Sequence, residues 1–288
     1  MARRKAPEPP GGRANLAEVK RFYGKLMAAA ANSADPRLED VFAQVPREAF
    51  MPPGPWRIMV NNRYFETPSA DPAYLYQNAL VALDPDKGVN NGEPFLHAGW
   101  IGAVAPKPGE TICHIGAGTG YYTAILAMLA LPGGRVGAYE IDPDLAQKAR
   151  DNLASFANVS VMQADATEIP LPASDVIYVN AGVVAPPLSW LKALTSNGRM
   201  IFPWRPTNDI GLALVVRRTN AGFAVKPLSS AWFIPCVGAS DAEESVKAPS
   251  AAEAWAARSI WPLANRASDE TAVAIYREAW FSSAAPGD

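Results

Sequence analysis

Residues 113–123 read Cys113-His114-Ile115-Gly116-Ala117-Gly118-Thr119-Gly120-Tyr121-Tyr122-Thr123, and Ala124-Ile125-Leu126-Ala127-Met128-Leu129-Ala130 follows directly. The apolar run before Gly116 predicts a strand and the run after Thr123 predicts a helix. The turn between them has glycine at every second position. Glycine permits a tight backbone path and lets a ligand come against the main chain without meeting a side chain. The helix start beyond it offers unpaired N–H groups. The spacing is G-x-G-x-G rather than the G-x-G-x-x-G of dinucleotide folds. It therefore disfavours a pyrophosphate cradle and a nicotinamide-dependent oxidoreductase.

Working outward, Arg135 to Glu140 forms a short extended run that ends in an acid, followed by Ile141-Asp142-Pro143. An acid about 20 residues past such a turn, at a strand end, suits the two hydroxyls of a ribose. Asn158 to Ala166 is another extended run, ending at Asp165 and Ala166, where the acid is placed to meet an adenine amino group. Asp175 to Ala181 supplies a further strand, with Asn180 at its end. Taken singly, these are structural glycine turns and solvated acids at helix starts. Taken in order, they surround one ligand at the carboxyl ends of the strands, where doubly wound sheets bind. The predicted cofactor set is His114, Gly116, Gly118, Gly120, Tyr121, Glu140, Ile141, Asp165, Ala166 and Asn180.

The 288 residues suffice for one large α/β domain with additions, or for two small ones. With 26 Lys and Arg against 28 Asp and Glu, no strong field points to nucleic acid or a membrane surface. No apolar run approaches the length of a membrane span. Arg3-Arg4-Lys5 runs into a stretch rich in Pro and Gly, which predicts a disordered tail over 1–13 rather than a secretory signal. Cys113 and Cys236 read as small buried hydrophobes, and together with His97 and His114 they make no zinc site, so no metal is expected. A reducing cytoplasm fits this cysteine usage.

Leu16, Val19, Phe22, Tyr23, Leu26, Met27 and Ala30 recur at helical spacing and predict a helix over 14–31. A second helix starts at Asp35-Pro36, and another runs from Pro94 or Phe95 to about Val104. A Pro-rich aromatic segment with Trp56, Tyr64 and Phe65 lies between them. The expected organisation is an N-terminal helical, substrate-covering segment over 14–108, a cofactor-binding core over 109–238, and a helix-and-strand extension over 239–288. A hairpin is expected at Thr219-Asn220-Ala221-Gly222. Residues 241–258 are expected to be partly helical, with a terminal strand over Thr271–Trp280.

The order of motifs over about 95–205 resembles the class I S-adenosylmethionine-dependent methyltransferases. Local matches narrow the resemblance. Val45-Pro46-Arg47-Glu48-Ala49-Phe50 resembles the V-P-R-E-x-F segment of protein-L-isoaspartate O-methyltransferases. His114 to Tyr121 is similar to that family's E-I-G-T-G-S-G-Y, Gly198 to Pro203 to its G-G-R-L-V-I-P, and Phe233 to Val237 to its V-x-F-V-P-L. The resemblance implies a doubly wound, mostly parallel seven-stranded Rossmann-like sheet with N-terminal helices and a C-terminal extension. It implies S-adenosyl-L-methionine as cofactor, and methyl transfer to a carboxylate of a peptide or small molecule. N- or O-methylation in a biosynthetic pathway, or a non-catalytic cofactor-binding homologue, are the alternatives. No partner beyond the methyl acceptor is implied, and the oligomeric state is left open.

The sequence departs from this pattern at the acceptor segment. The family carries G-Q-T-I-S-x-P there, and this chain has Asn90-Asn91-Gly92-Glu93-Pro94-Phe95-Leu96-His97, with no Ser or Thr. His114 stands where the family has an acid that helps hold the amino-acid end of the cofactor. Transfer to a carboxylate needs alignment rather than a strong base, because the acceptor is already ionised at neutral pH. His97 and Asn91 are the candidate acceptor-side residues, His97 as orienting donor or weak base and Asn91 as amide donor. Against this, His97 can be a packed helix histidine and Asn91-Gly92 a simple turn. Glu93 contacts the cofactor or caps the following helix. Tyr121 and Tyr122 are candidates to shield the cofactor. Trp56, Tyr64 and Phe65 cover the pocket or belong to the core.

Overall fold

The computed structural model describes residues 15–287, so the tail expected over 1–13 lies outside the described residues. The chain opens with helices α1 (Leu16–Ala31) and α2 (Arg37–Gln44). Asn15 caps α1 by accepting from the backbone N–H of Ala17, and Asn32 ends it in the left-handed conformation. Strands β1 (Arg57–Val60), β2 (Arg63–Glu66), β3 (Leu80–Asp84) and β4 (Val89–Asn90) follow. They form a small separate sheet of order β2-β1-β3-β4. Asn61 and Asn62 join β1 to β2 with φ of 49° and 60°. This two-residue turn with both φ positive is the type that matches strand twist, and asparagine tolerates it. The sheet occupies the region read from sequence as an aromatic, Pro-rich segment.

Helix α3 (Pro94–Val104) leads into the alternating core: β5 (Thr111–Ile115), α4 (Tyr121–Ala130), β6 (Arg135–Glu140), α5 (Pro143–Asn152), β7 (Val159–Gln163), β8 (Ser174–Val179), α6 (Leu188–Ala193) and β9 (Leu194–Thr207). Then come β10 (Ile210–Thr219), β11 (Gly222–Ser230), β12 (Ser245–Lys247), α7 (Ala251–Ala256), β13 (Ser259–Pro262), β14 (Ala272–Tyr276) and β15 (Ala279–Ser282). The main sheet has eleven strands in the order β12-β14-β15-β13-β11-β10-β9-β8-β5-β6-β7. Strands β7, β6, β5, β8 and β9 pair in parallel, and every pairing from β9 outward to β12 is antiparallel.

This corrects the expected seven-stranded, mostly parallel sheet. The C-terminal residues do not sit beside the sheet but add to it, because the edge of β11 accepts β13 through Phe223–Ile260 and Ala224–Ser259. The terminal strand expected over Thr271–Trp280 is two strands, β14 and the start of β15. The α/β reading itself stands: helices cover a sheet whose parallel strands are joined by helical crossovers, except that β7 passes to β8 through a loop.

The first core cluster joins the N-terminal helices to the sheet through Tyr23, Met27, Phe42, Phe50, Trp100, Ile101 and Ile125. Gly102 lets α3 lie against α1, since a Cβ there would stand 2.1 Å from the Ala31 carbonyl oxygen. The Val45–Phe50 segment has a defined mechanical role. Arg47 is fully buried and donates to the carbonyls of Leu75, Gln77 and Ala79. Glu48 takes Lys20 at 2.7 Å. The arginine thereby fixes the chain entering β3, which walls the site described next.

Candidate functional site

A cavity of about 500 Å³ opens at the carboxyl ends of β5, β6, β7 and β8. The turn residues Gly116–Thr119 form its floor. The backbone N–H groups of Gly116 and Ala117 both donate to the Tyr139 carbonyl, at 2.9 and 3.1 Å, which ties the turn to β6. The glycines of this turn differ in what they do. Gly118 has φ +57°, and a Cβ on it would meet only Leu83, at 3.8 Å, so its backbone is open to a ligand. Gly120 does not line the cavity; with φ +96°, a Cβ there would stand 2.6 Å from Leu153 Cδ1. Its job is the close packing of α4 against α5.

Glu140 ends β6 inside the cavity. Its Oε2 accepts the Gly118 N–H at 2.7 Å and its Oε1 accepts the Asp142 N–H at 3.0 Å. Burial raises its carboxyl above the ordinary glutamate range, against the pull of these N–H donors. Each oxygen keeps a further lone pair for a hydroxyl donor. Asp165 follows β7. Its Oδ1 accepts from both the backbone N–H and the hydroxyl of Thr167, at 2.8 and 2.7 Å, which leaves Oδ2 for an amino donor. Ile141 and Ala166 line the same cavity beside these acids.

His114 does not sit as the sequence suggested, whereas Asn180 does. Asn180 lines the cavity, but His114 is fully buried behind it on β5 and is not part of the lining. Asn180 Nδ2 donates to His114 Nε2 at 2.8 Å. The imidazole then carries its proton on Nδ1 and donates it to Thr123 Oγ1, 2.8 Å away. Burial depresses His114 to about 3, so the ring is neutral. With its amide nitrogen engaged, Asn180 keeps Oδ1 buried and without a hydrogen-bond partner. A buried polar atom in that state calls for a ligand or water.

The acceptor-side candidates Asn91 and His97 both line the cavity. Asn91 pairs with β3 as though its side chain were backbone. Its N–H donates to Val81 O and its Oδ1 accepts Val81 N–H, both at 3.0 Å, which leaves Nδ2 buried and unpartnered. His97 is buried on α3 and stacks on Tyr122, with ring centroids 3.8 Å apart and planes 19° from parallel. Its Nδ1 lies 2.9 Å from Tyr178 Oη. A Cβ on Gly92 would stand 2.2 Å from His97 Nε2, so only glycine fits where the turn crosses the ring. Burial first, then the charge of Arg47, holds His97 well below the ordinary histidine value, and it is neutral at pH 7. The ring is thus packed on α3 and also lines the cavity.

Tyr121 and Tyr122 line the cavity as well, and Glu93 takes Asn78 Nδ2 at 2.6 Å instead of capping α3 with its side chain. Trp56 is core, whereas Tyr64 and Phe65 lie on the exposed strand β2, and none of the three lines the cavity. The sequence reading missed the apolar walls. Leu80 and Leu83 come from β3, and Trp232, Ile234 and Val237 form a lip on which they are 59%, 51% and 58% exposed. The signal was present as the apolar run Trp232-Phe233-Ile234-Pro235, to which no role was given. Among the described residues no Lys or Arg lines the cavity, whereas Glu93, Glu140, Asp142 and Asp165 do.

The strand order and this glycine-floored, acid-walled cavity define the Rossmann-like α/β fold of methyltransferases. A solved protein-L-isoaspartate O-methyltransferase overlays with a TM-score of 0.62 at 21% identity, over 77% of this chain and 65% of that one. A structure from Plasmodium falciparum, provisionally assigned to the same family and solved with S-adenosyl-L-homocysteine, overlays with a TM-score of 0.59 at 18% identity, over 78% of this chain and 99% of that one. The sequence profile of protein-L-isoaspartate(D-aspartate) O-methyltransferase matches residues 24–241, and the chain belongs to that family. Among its relatives, the protein-L-isoaspartate O-methyltransferase of Aeropyrum pernix is 30% identical over 70% of this chain and 73% of its own length. That of Protochlamydia amoebophila is 31% identical over 73% and 92%.

Proposed function

We propose that this methyltransferase uses S-adenosyl-L-methionine to O-methylate a carboxylate on a peptide or small molecule. The observation that carries the reading is the set of free polar groups in one cavity. Glu140 has lone pairs for two ribose hydroxyls, Asp165 Oδ2 is free for an adenine amino group, and Asn180 Oδ1 is free for an ammonium. Gly118 leaves the backbone open between them. Bound S-adenosylmethionine supplies a sulfonium methyl that a carboxylate oxygen takes in line, the S–C electron pair returning to sulfur as a thioether. The chain's own work is alignment, which is worth several kcal/mol.

Asn91 Nδ2 and His97 Nε2 are the acceptor-side groups in this reading. A neutral His97 offers a hydrogen bond without a charge, and an ionised carboxylate needs no base. In the family pattern hydroxyls do this work, and the segment 90–97 replaces them with an amide and an imidazole. Ordinary isoaspartyl peptides are therefore expected to be poor acceptors. Cytoplasmic residence belongs to the same reading, supported by two free buried cysteines. Among the described residues no helix is long and apolar enough to cross a membrane.

The test is incubation with the cofactor and a panel of carboxylic acids and isoaspartyl peptides, read as a mass gain of one methylene in the product. Methyl ester on a panel member supports the reading. Transfer only to nitrogen or alcohol acceptors overturns the carboxylate assignment, and turnover of a standard isoaspartyl peptide at about 1 per second or faster overturns the expected weakness.

A further inference from the structure

A second cavity, of about 340 Å³, lies where the segment after β11 meets the carboxyl ends of β8 and β9. Gly182, Arg205, Thr207, Asn208, Pro235 and Ser245 are among the residues that line it. It neighbours the main site, since Pro235 lines both cavities. The wall between them is laced by backbone: Gly182 N–H donates to Ile234 O at 2.8 Å and Cys236 N–H to Gly182 O at 2.7 Å.

Two residues of this lining each carry a buried side-chain atom without a partner, Arg205 at Nε and Ser245 at Oγ. Arg205 spends one nitrogen, Nη1, on Phe233 O at 2.7 Å. Among the described residues it forms no ion pair. Asp241, Glu243 and Glu244 occupy the neighbouring turn, yet none of them lines the cavity. A partly desolvated guanidinium without a carboxylate, in the lining of the same cavity as an unpaired hydroxyl, is a costly arrangement unless something anionic completes it. The planar fork of arginine matches carboxylate and phosphate oxygens in pairs.

We propose that this cavity is an oxyanion site separate from the methyl-transfer cavity, in which Arg205 and Ser245 hold a carboxylate or a phosphate group. Ser245 belongs to β12, so the site exists only because the C-terminal strands join the sheet. Calorimetric titration of the full chain with inorganic phosphate, and separately with acetate, in a buffer free of both, tests it. One saturable event is expected with at least one of them, unchanged by saturating S-adenosylhomocysteine and weakened at least tenfold by Ser245→Ala. The stronger of the two probes identifies the ligand as a phosphate ester or a carboxylic acid. Because Arg205 also holds the Phe233 carbonyl, Ser245→Ala is the deciding variant, and its S-adenosylhomocysteine affinity reports that the fold is intact. Competition with S-adenosylhomocysteine would place the anion in the main cavity and overturn the proposal. So would unaltered binding in Ser245→Ala, or no saturation below about 10 mM with either probe, which would leave water as the partner of both atoms.

Discussion

Asn180 gives its amide nitrogen to His114 Nε2 at 2.8 Å and keeps its amide oxygen, buried and unpaired, at the cavity wall. In the proposed site the histidine is a positioning residue: it holds the amide while lying outside the cavity lining. With His114→Ala, Asn180 loses that constraint. S-Adenosylhomocysteine should bind about tenfold more weakly, the net worth of one hydrogen bond to a charged group. 5′-Methylthioadenosine has the nucleoside but no amino-acid arm, so its affinity should stay the same. Equal losses for both ligands, by calorimetry, would show general damage to the turn instead.

Glu140 is the ribose anchor in the proposed site, and Glu140→Ala should weaken S-adenosylhomocysteine by about 1–3 kcal/mol. Its pH dependence follows from burial, which raises the carboxyl above its ordinary value. Hydroxyl donors favour the ionised form, so cofactor binding should weaken as pH falls from about 7 towards 5. Folding linkage runs the other way: the group's contribution to stability is fully present below the unfolded value and is lost as pH rises through the folded one. Glu140→Gln should abolish the pH slope of affinity; an unchanged slope in that variant would assign it elsewhere.

His97→Ala should lower turnover by about 10²–10⁴-fold while S-adenosylhomocysteine affinity stays nearly unchanged. The separation of kcat from cofactor binding is the informative readout, because His97 also stacks on Tyr122 and contacts Tyr178. A parallel loss of cofactor affinity and thermal stability would mark the ring as packing alone.

Arg199 reaches from β9 to Glu110 through both terminal nitrogens, at 2.7 and 2.8 Å, and donates to the carbonyls of Val104 and Ala105 at 2.5 and 2.6 Å. The pair is largely buried, with side chains 7% and 15% exposed. Arg199→Met leaves Glu110 and the end of α3 without their partner and should cost about 3–5 kcal/mol, measured by denaturant unfolding. A loss below about 1 kcal/mol would place the pair among ordinary surface bridges.

The parts of the site that could be read in advance are those where one residue type at one spacing does one job. Glu140 and Asp165 end strands, and Gly118 must leave its backbone open, so these positions stand out in the chain. His114 was harder to place. A residue near the end of a strand can point into the cavity or behind it, and only the pairing with Asn180 and Thr123 shows which. The small sheet β1–β4 escaped notice because Pro52, Pro53 and Pro55 masked a hairpin whose one sign is Asn61-Asn62. The sheet's true width escaped because β12 to β15 are short strands of three to five residues, each given its identity by the neighbour it pairs with. Tertiary pairing, rather than local preference, sets such strands.

The addition of β13 to the edge of β11 also bears on the order of events during synthesis. Strand β11 ends at Ser230 and β13 begins at Ser259. At ordinary elongation rates the ribosome takes about 1–6 s to cover the intervening residues. Through that interval the finished methyltransferase half carries an open strand edge, of the kind that recruits other chains. Premature termination after β11 would freeze the protein in that state, so truncated products should be found in aggregates rather than as a smaller working enzyme.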